Sequence, residues 1–271
     1  MKYLISDKAL GTIERECRLH PEAETGGILA GFREAERVVI THATGPGLHW
    51  ESSESHFVKD TSYLQSVLDL LFQYFQINYL GVWHKHPPSM RYPSHGDIAS
   101  AMEEISDRDV GLGELLTPIC VLEGNRVEVF PYVIKDNESL PIEWSTIPHG
   151  SIAKLGPGET QWHTRSVGKD RLVREMKLFE ELGIQVDVKE ASDGTYRFHA
   201  TRDPKSSQRL VMLCANDYPF TPPDIALYDH QARSYQPVSS EILDNWNIDR
   251  YLGAVAAEFW QLTEESPGIS N

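Results

Sequence analysis

Trp83-His84-Lys85-His86-Pro87-Pro88-Ser89-Met90-Arg91-Tyr92-Pro93-Ser94-His95-Gly96-Asp97 is the stretch on which the reading of this chain turns. It continues Tyr79-Leu80-Gly81-Val82-Trp83, an apolar run that reads as a buried strand. At the end of a strand, a spacing of two sends the imidazoles of His84 and His86 to one face and Lys85 to the other. Two imidazoles and one carboxylate are a three-ligand protein set for catalytic zinc, with the fourth tetrahedral position left to water. Asp97, opening a helix after a proline-rich loop, is the candidate carboxylate. Water on such an ion has its pKa lowered to about 7.

That chemistry also needs a proton acceptor and a donor for a developing oxyanion. Glu24, in Ala23-Glu24-Thr25-Gly26-Gly27-Ile28-Leu29-Ala30-Gly31, is the candidate base, beside a glycine pair that permits close backbone approach. Ser94, three residues before Asp97, can direct its hydroxyl at a tetrahedral intermediate and can also cap the helix that follows. His95 reads as a loop residue outside the set. His42, His49 and His56 read as surface or core polar groups rather than ligands.

Glu-Thr-Gly-Gly-Ile-Leu, then His-x-His-Pro, six residues, and Ser-x-x-Asp resembles the JAMM signature of JAB/MPN metallopeptidases. The resemblance covers about residues 1–135, and Thr44-Gly45-Pro46-Gly47, the helix after Asp60 and Gly81-Val82-Trp83 are similar to its bacterial branch. It implies zinc (Zn2+) on His84, His86 and Asp97, Glu24 as general base and Ser94 at the oxyanion. The implied activity is cleavage of a peptide or isopeptide bond after the C-terminus of a ubiquitin-like protein, by deconjugation or precursor processing. The implied setting is a bacterial ubiquitin-like conjugation pathway in antiviral defence, with its conjugation enzymes as further partners. Lys85 departs from the family, which commonly has Ser or Thr there; its expected outward direction leaves zinc binding intact and places it at the substrate groove. Two other classes stay open. One is a metal-free MPN scaffold in a conjugation complex, which metal content would separate. The other is a zinc hydrolase of a small amide or sulfur-carrier substrate, separated by comparing a folded ubiquitin-like substrate with a short peptide.

Around the signature the first part reads as α/β. Arg37-Val38-Val39-Ile40-Thr41 is strand-like. From Asp60, an N-cap, the apolar set Tyr63, Leu64, Val67, Leu68, Leu71, Phe72 and Phe75 repeats at helical spacing. Pro118–Leu122 and Val127–Val133 read as a hairpin, and Ile98, Ala101, Met102 and Ile105 as one face of a short helix. Proline and glycine then punctuate the chain, so the expected organisation is a metallopeptidase domain over 1–137, a linker over 138–165 and a second domain over 166–271.

The second part reads as α+β. A helical stripe of Leu172, Val173, Met176, Phe179 and Leu182 precedes strands at Gln185–Val188, Tyr196–Ala200 and Leu210–Cys214, and a late helix carries Ile248, Leu252, Val255 and Phe259. With Tyr218-Pro219-Phe220-Thr221-Pro222-Pro223 this order resembles the ubiquitin-conjugating (UBC-like) fold. The fold class expected is therefore a JAB/MPN, cytidine-deaminase-like sheet flanked by helices, followed by a UBC-like domain. No cysteine follows Pro223 and no His-Pro-Asn occurs, so this half is expected to be non-catalytic, a binding module for a ubiquitin-like protein or conjugation partner.

Charge narrows the partners. The formal net charge is −15, and both halves are acidic: 12 basic against 20 acidic residues up to Asp136, 13 against 20 after it. Without a basic excess neither half is a nucleic-acid binder; a basic protein surface is the natural complement. Cys17, Cys120 and Cys214 are too few and too far apart for a disulfide framework or a cysteine-rich zinc cluster. No apolar run approaches the roughly 20 residues of a membrane span, and a cytoplasmic protein is expected.

Overall fold

The computed structural model describes residues 1–47, 49–53, 56–107, 111–154, 162–191, 195–244 and 246–262. The chain divides into two compact units, Met1–Pro157 and Gly158–Asn271. Unit 1 runs β1 (Lys2–Ser6), α1 (Asp7–Leu19), β2 (Gly26–Arg33), β3 (Arg37–Ala43), β4 (Glu51–Ser53), β5 (His56–Val58), α2 (Thr61–Phe75), β6 (Asn78–His86), α3 (His95–Ser106), β7 (Leu115–Leu116), β8 (Ile119–Glu123), β9 (Arg126–Phe130), β10 (Tyr132–Lys135), β11 (Glu138–Pro141) and β12 (Trp144–Ile147).

The expected α/β character holds. A mixed sheet of order β11-β10-β7-β6-β2-β3-β1-β12, with β8 on β6 and β9 on β8, puts β6 in its middle. β2 pairs antiparallel with β6 from Gly26 opposite His84 to Gly31 opposite Asn78. β8 lies parallel on the other side, with His84 opposite Ile119 and His86 opposite Val121. Leu80 and Trp83 join the core that Ile13 and Cys17 of α1 complete. Tyr79 and Val82 pack on the opposite cluster around Ala101 of α3. Cover on both faces is why this strand reads as a continuous apolar run rather than an alternating one.

Trp83 fixes the strand just before the histidines. It is wholly buried, and its indole donates to the Thr44 carbonyl at 3.0 Å. That carbonyl can come so close only because Gly27 has no side chain: a Cβ there would lie 2.0 Å from the Thr44 oxygen. The glycine pair beside Glu24 thus serves the backbone approach expected of it.

Local signals set the helix starts. Ser6 caps α1 by accepting from the Ala9 N–H at 3.0 Å, and Asp60 caps α2 through the Tyr63 N–H at 3.1 Å. Two expectations are corrected. The hairpin survives as β8 and β9, but Pro131, which has no N–H, breaks the second strand, and β10 pairs instead with β7 and β11. The linker expected over 138–165 is strand for part of its length. β11 pairs with β10, and β12 lies parallel on β1 with Tyr3 opposite Trp144. Two 3-10 segments, His149–Lys154 and Trp162–Thr164, follow, and Gly156, Pro157 and Gly158 lie outside the described residues.

Unit 2 contains α4 (Ser166–Glu181), β13 (Gln185–Glu190), β14 (Tyr196–Thr201), β15 (Gln208–Cys214), β16 (Asp224–Asp229), β17 (Ser234–Pro237), α5 (Glu241–Asp244) and α6 (Leu252–Phe259). Its strands form an antiparallel meander in chain order, an α+β arrangement with two more strands than expected; Ile248 precedes α6 rather than lying in it. The stripe assigned to α4 is also corrected. Val173 and Met176 are exposed, while Gly168, Arg171, Glu175 and Phe179 face inward. A buried pair makes that face possible: Arg171 Nε donates to Glu175 at 2.8 Å, Tyr218 also donates to Glu175, and the Leu252 N–H reaches its other oxygen at 2.8 Å. Burial raises the Glu175 pKa, and Arg171 works against that rise. Among the described residues no helix is long and apolar enough to cross a membrane.

Replacing Gly27 by alanine forces the Thr44 carbonyl away from the Trp83 indole. We expect Gly27→Ala to cost about 2–3 kcal/mol, the scale of core overpacking, measured by denaturant unfolding; an unchanged midpoint would show that the strand does not need this approach.

Candidate metal centre

His84 and His86 end β6, and Asp97 lies in the first turn of α3. The strand's alternation puts both imidazoles on one side, as the spacing predicted. Eight residues of loop, 87–94, then bring the chain back across them. The return is fixed by a capping box: the Ser94 Oγ accepts from the Asp97 N–H at 3.2 Å, and the Asp97 Oδ2 accepts from the Ser94 N–H at 2.5 Å. Ser94 is therefore the N-cap it was expected to be, and His95 opens the helix rather than lying in the loop.

The three side chains converge. The two Nε2 atoms are 2.6 Å apart, and Asp97 Oδ1 lies 3.2 Å from His84 Nε2 and Oδ2 3.4 Å from His86 Nε2. One ligand atom from each lies within 4.8 Å of the others. Burial opposes ionisation of Asp97, but hydrogen bonds from both histidines, the His84 charge and Ser94 outweigh it and hold the carboxyl well below the usual range. An ionised carboxylate and two imidazole nitrogens facing one point are the donor class that zinc takes, so these residues fit such an ion. His86 Nδ1 is buried without a hydrogen-bond partner, so the second nitrogen of that ring has none of the orienting partners usual for ligating histidines.

Glu24 approaches from β2. It precedes that strand in the segment after α1, and the Lys85 N–H donates to the Thr25 carbonyl at 2.7 Å. Extending the β2–β6 register, in which Gly26 faces His84, brings half-buried Glu24 opposite His86. Lys85 corrects an expectation. It does point away from the imidazoles, but onto the α1 side of the sheet, where it is 5% exposed and its Nζ donates to the Pro21 carbonyl at 2.8 Å. It is not a groove residue. Burial lowers its pKa, opposed by nearby Cys17, Glu22 and Glu24. His42 stacks on Phe75 and His49 is exposed; neither joins the cluster.

Sequence reasoning missed how the loop is anchored. Arg91 pairs with Glu123 and Glu128, its guanidinium lies 5.4 Å from the centre of the Phe130 ring, and the Tyr132 hydroxyl donates to the Arg91 carbonyl at 3.2 Å. No spacing links residue 91 to a hairpin some thirty residues on. The signal was a single arginine within a proline-rich loop.

No protein-family model matches the chain. It is similar to a protein named CD-NTase/cGAS isopeptidase from Escherichia coli (strain TW11681), at 35% identity over 83 residues, 30% of this chain and 53% of that one. The chain thus spans about half the length of this curated relative. Among solved structures, a Desulfitobacterium hafniense protein shares 19% identity, with 54% of this chain and 93% of that chain covered at a TM-score of 0.44. A JAB1/MPN domain protein from Archaeoglobus fulgidus shares 16%, with 54% and 99% covered at a TM-score of 0.33. Both likenesses are distant.

Because Ser94 Oγ caps α3 but does not belong to the donor set, Ser94→Ala should cost about 1 kcal/mol of stability and leave the metal stoichiometry unchanged. Denaturant melts and elemental analysis of the same preparation check both halves; loss of metal would make Ser94 part of the donor geometry.

Proposed function

We propose that unit 1 is a zinc-dependent isopeptidase or peptidase that cleaves after the C-terminus of a ubiquitin-like protein. The observation that carries this reading is the convergence of His84, His86 and Asp97 at the end of β6. The complete signature spacing and the 35% identity to a protein named as an isopeptidase support it. His84, His86 and Asp97 would hold the ion, which when bound polarises the scissile carbonyl and lowers the pKa of its water to about 7. Glu24 takes the proton of the attacking water and returns it to the leaving amine. The Ser94 hydroxyl accepts from the Asp97 N–H, and its own proton is the donor offered to the oxyanion.

The substrate is a conjugate or precursor of a ubiquitin-like protein. The relative's name makes a CD-NTase/cGAS conjugate the first to try. Unit 2 serves as a non-catalytic, UBC-like binding module within the same conjugation pathway. In support, Cys214, the cysteine preceding Tyr218-Pro219-Phe220, is wholly buried in β15 and its thiol is pushed well up by burial, the opposite of an activated nucleophile.

Elemental analysis should find about one zinc per wild-type chain and none in His84→Ala/His86→Ala. No zinc in the wild type, even after supplementation during expression, would sink the peptidase reading. On a ubiquitin-like fusion, Glu24→Gln should lower kcat by about 10²–10⁴-fold with zinc retained; full activity would remove Glu24 from the role of base.

A further inference from the structure

Glu24 sits in coil. The segment His20-Pro21-Glu22-Ala23-Glu24-Thr25 joins α1 to β2 with no helix or strand of its own, and Glu22 within it is exposed. A general base needs a defined position, since a misplacement of about 1 Å can cost about 10²-fold in rate. Something must hold this segment to the strand that carries the imidazoles.

Lys85 does so twice. Its main-chain N–H donates to the Thr25 carbonyl at 2.7 Å, and its side-chain Nζ donates to the Pro21 carbonyl at 2.8 Å. The two acceptors are four residues apart and bracket Glu24. The side chain reaches Pro21 through the core: Lys85 is 5% exposed, shares the Trp83 face of β6 and has Cys120 of β8 as its opposite number. An apolar side chain would fill that space without the cost of burying an ammonium, which is tolerable only because it is bonded. The charged end reaches the chain at Pro21, whose carbonyl accepts from Nζ.

We propose that Lys85 is a positioning residue: it clamps residues 21–25 at both ends and so holds Glu24 against the strand that bears His84 and His86. The inference rests on the reading of Glu24 as base, but the clamp itself can be tested without turnover. One residue then couples the donor set to the base, with its neighbours in sequence on one face and its own side chain on the other.

The experiment is hydrogen exchange of the Glu22, Ala23 and Glu24 amides, with steady-state kinetics on a ubiquitin-like fusion and zinc analysis, all on the full chain. In wild type these amides should exchange at least about tenfold slower than in a free peptide. Lys85→Met, of similar length but without the donor, should lose that protection and lower kcat by about 10–100-fold, with KM within about twofold and zinc retained, the pattern of an interaction made in the transition state. Lys85→Arg, which keeps a donor, should recover most of both. Wild-type amides at free-peptide rates, unaltered protection in Lys85→Met, or an arginine variant no better than methionine would each overturn the clamp. If Lys85→Met does not fold, Lys85→Leu, also without a donor, reads the same quantities. A wild-type enzyme without turnover would instead count against the peptidase reading, and the exchange rates would still decide the clamp.

Discussion

The Asp97 carboxylate joins the first turn of α3 to the end of β6. One of its oxygens accepts the Ser94 N–H and lies 3.4 Å from His86, and the other lies 3.2 Å from His84. Helix starts leave N–H groups without partners and favour negative charge. Here the side chain that meets that need also turns toward the imidazoles. Where the helix begins, how the loop over 87–93 closes and how three donors meet are therefore one constraint. The loop is held at its middle by Arg91 on the β8–β9 hairpin, so the cap does not have to carry it alone.

β6 can supply this joint because it is held from every side. Trp83 is locked to the Thr44 carbonyl across Gly27, β2 and β8 flank the strand, and a helix covers each face. Imidazoles at the end of such a strand are held by main-chain ladders as well as by their contacts with Asp97, which matters where His86 Nδ1 has no partner. Glu24 stands on the opposite footing. It precedes β2 in coil, next to the bond from Lys85 to Thr25, so its position depends on the contacts that tie that coil down.

Much of this was legible in the chain because the signals are local. Asp60 and Ser94 announce helix starts within three residues, and the His84–His86 spacing gives the shared face by strand alternation alone. What was illegible depends on pairing between distant segments. Nothing near Lys85 says that it faces Cys17 and Cys120 rather than solvent; a lysine between two histidines reads as surface until β8 is laid beside β6. Residues 138–147 read as linker because their strands contribute few buried side chains and owe their place to β10 and β1. The face of α4 was misjudged for the complementary reason. Apolar periodicity points to Val173 and Met176, but Arg171 and Glu175 bond one another, Tyr218 and the Leu252 N–H bond Glu175, and the Ile248 and Arg250 carbonyls accept from Arg171, so this pair takes the interior that hydrophobicity alone would assign elsewhere.

The same local bonding bears on what can approach the centre. The chain is acidic throughout, and the two fixed cations in the stretch from Trp83 to Asp97 are both engaged, Lys85 on the Pro21 carbonyl beneath the sheet and Arg91 on Glu123 and Glu128. Both cations are thus spent on holding the loop and the segment before β2 in place. A protein tail threaded toward His84 and His86 would have to be recognised by main chain and shape, with its charge matched outside the loop rather than within it.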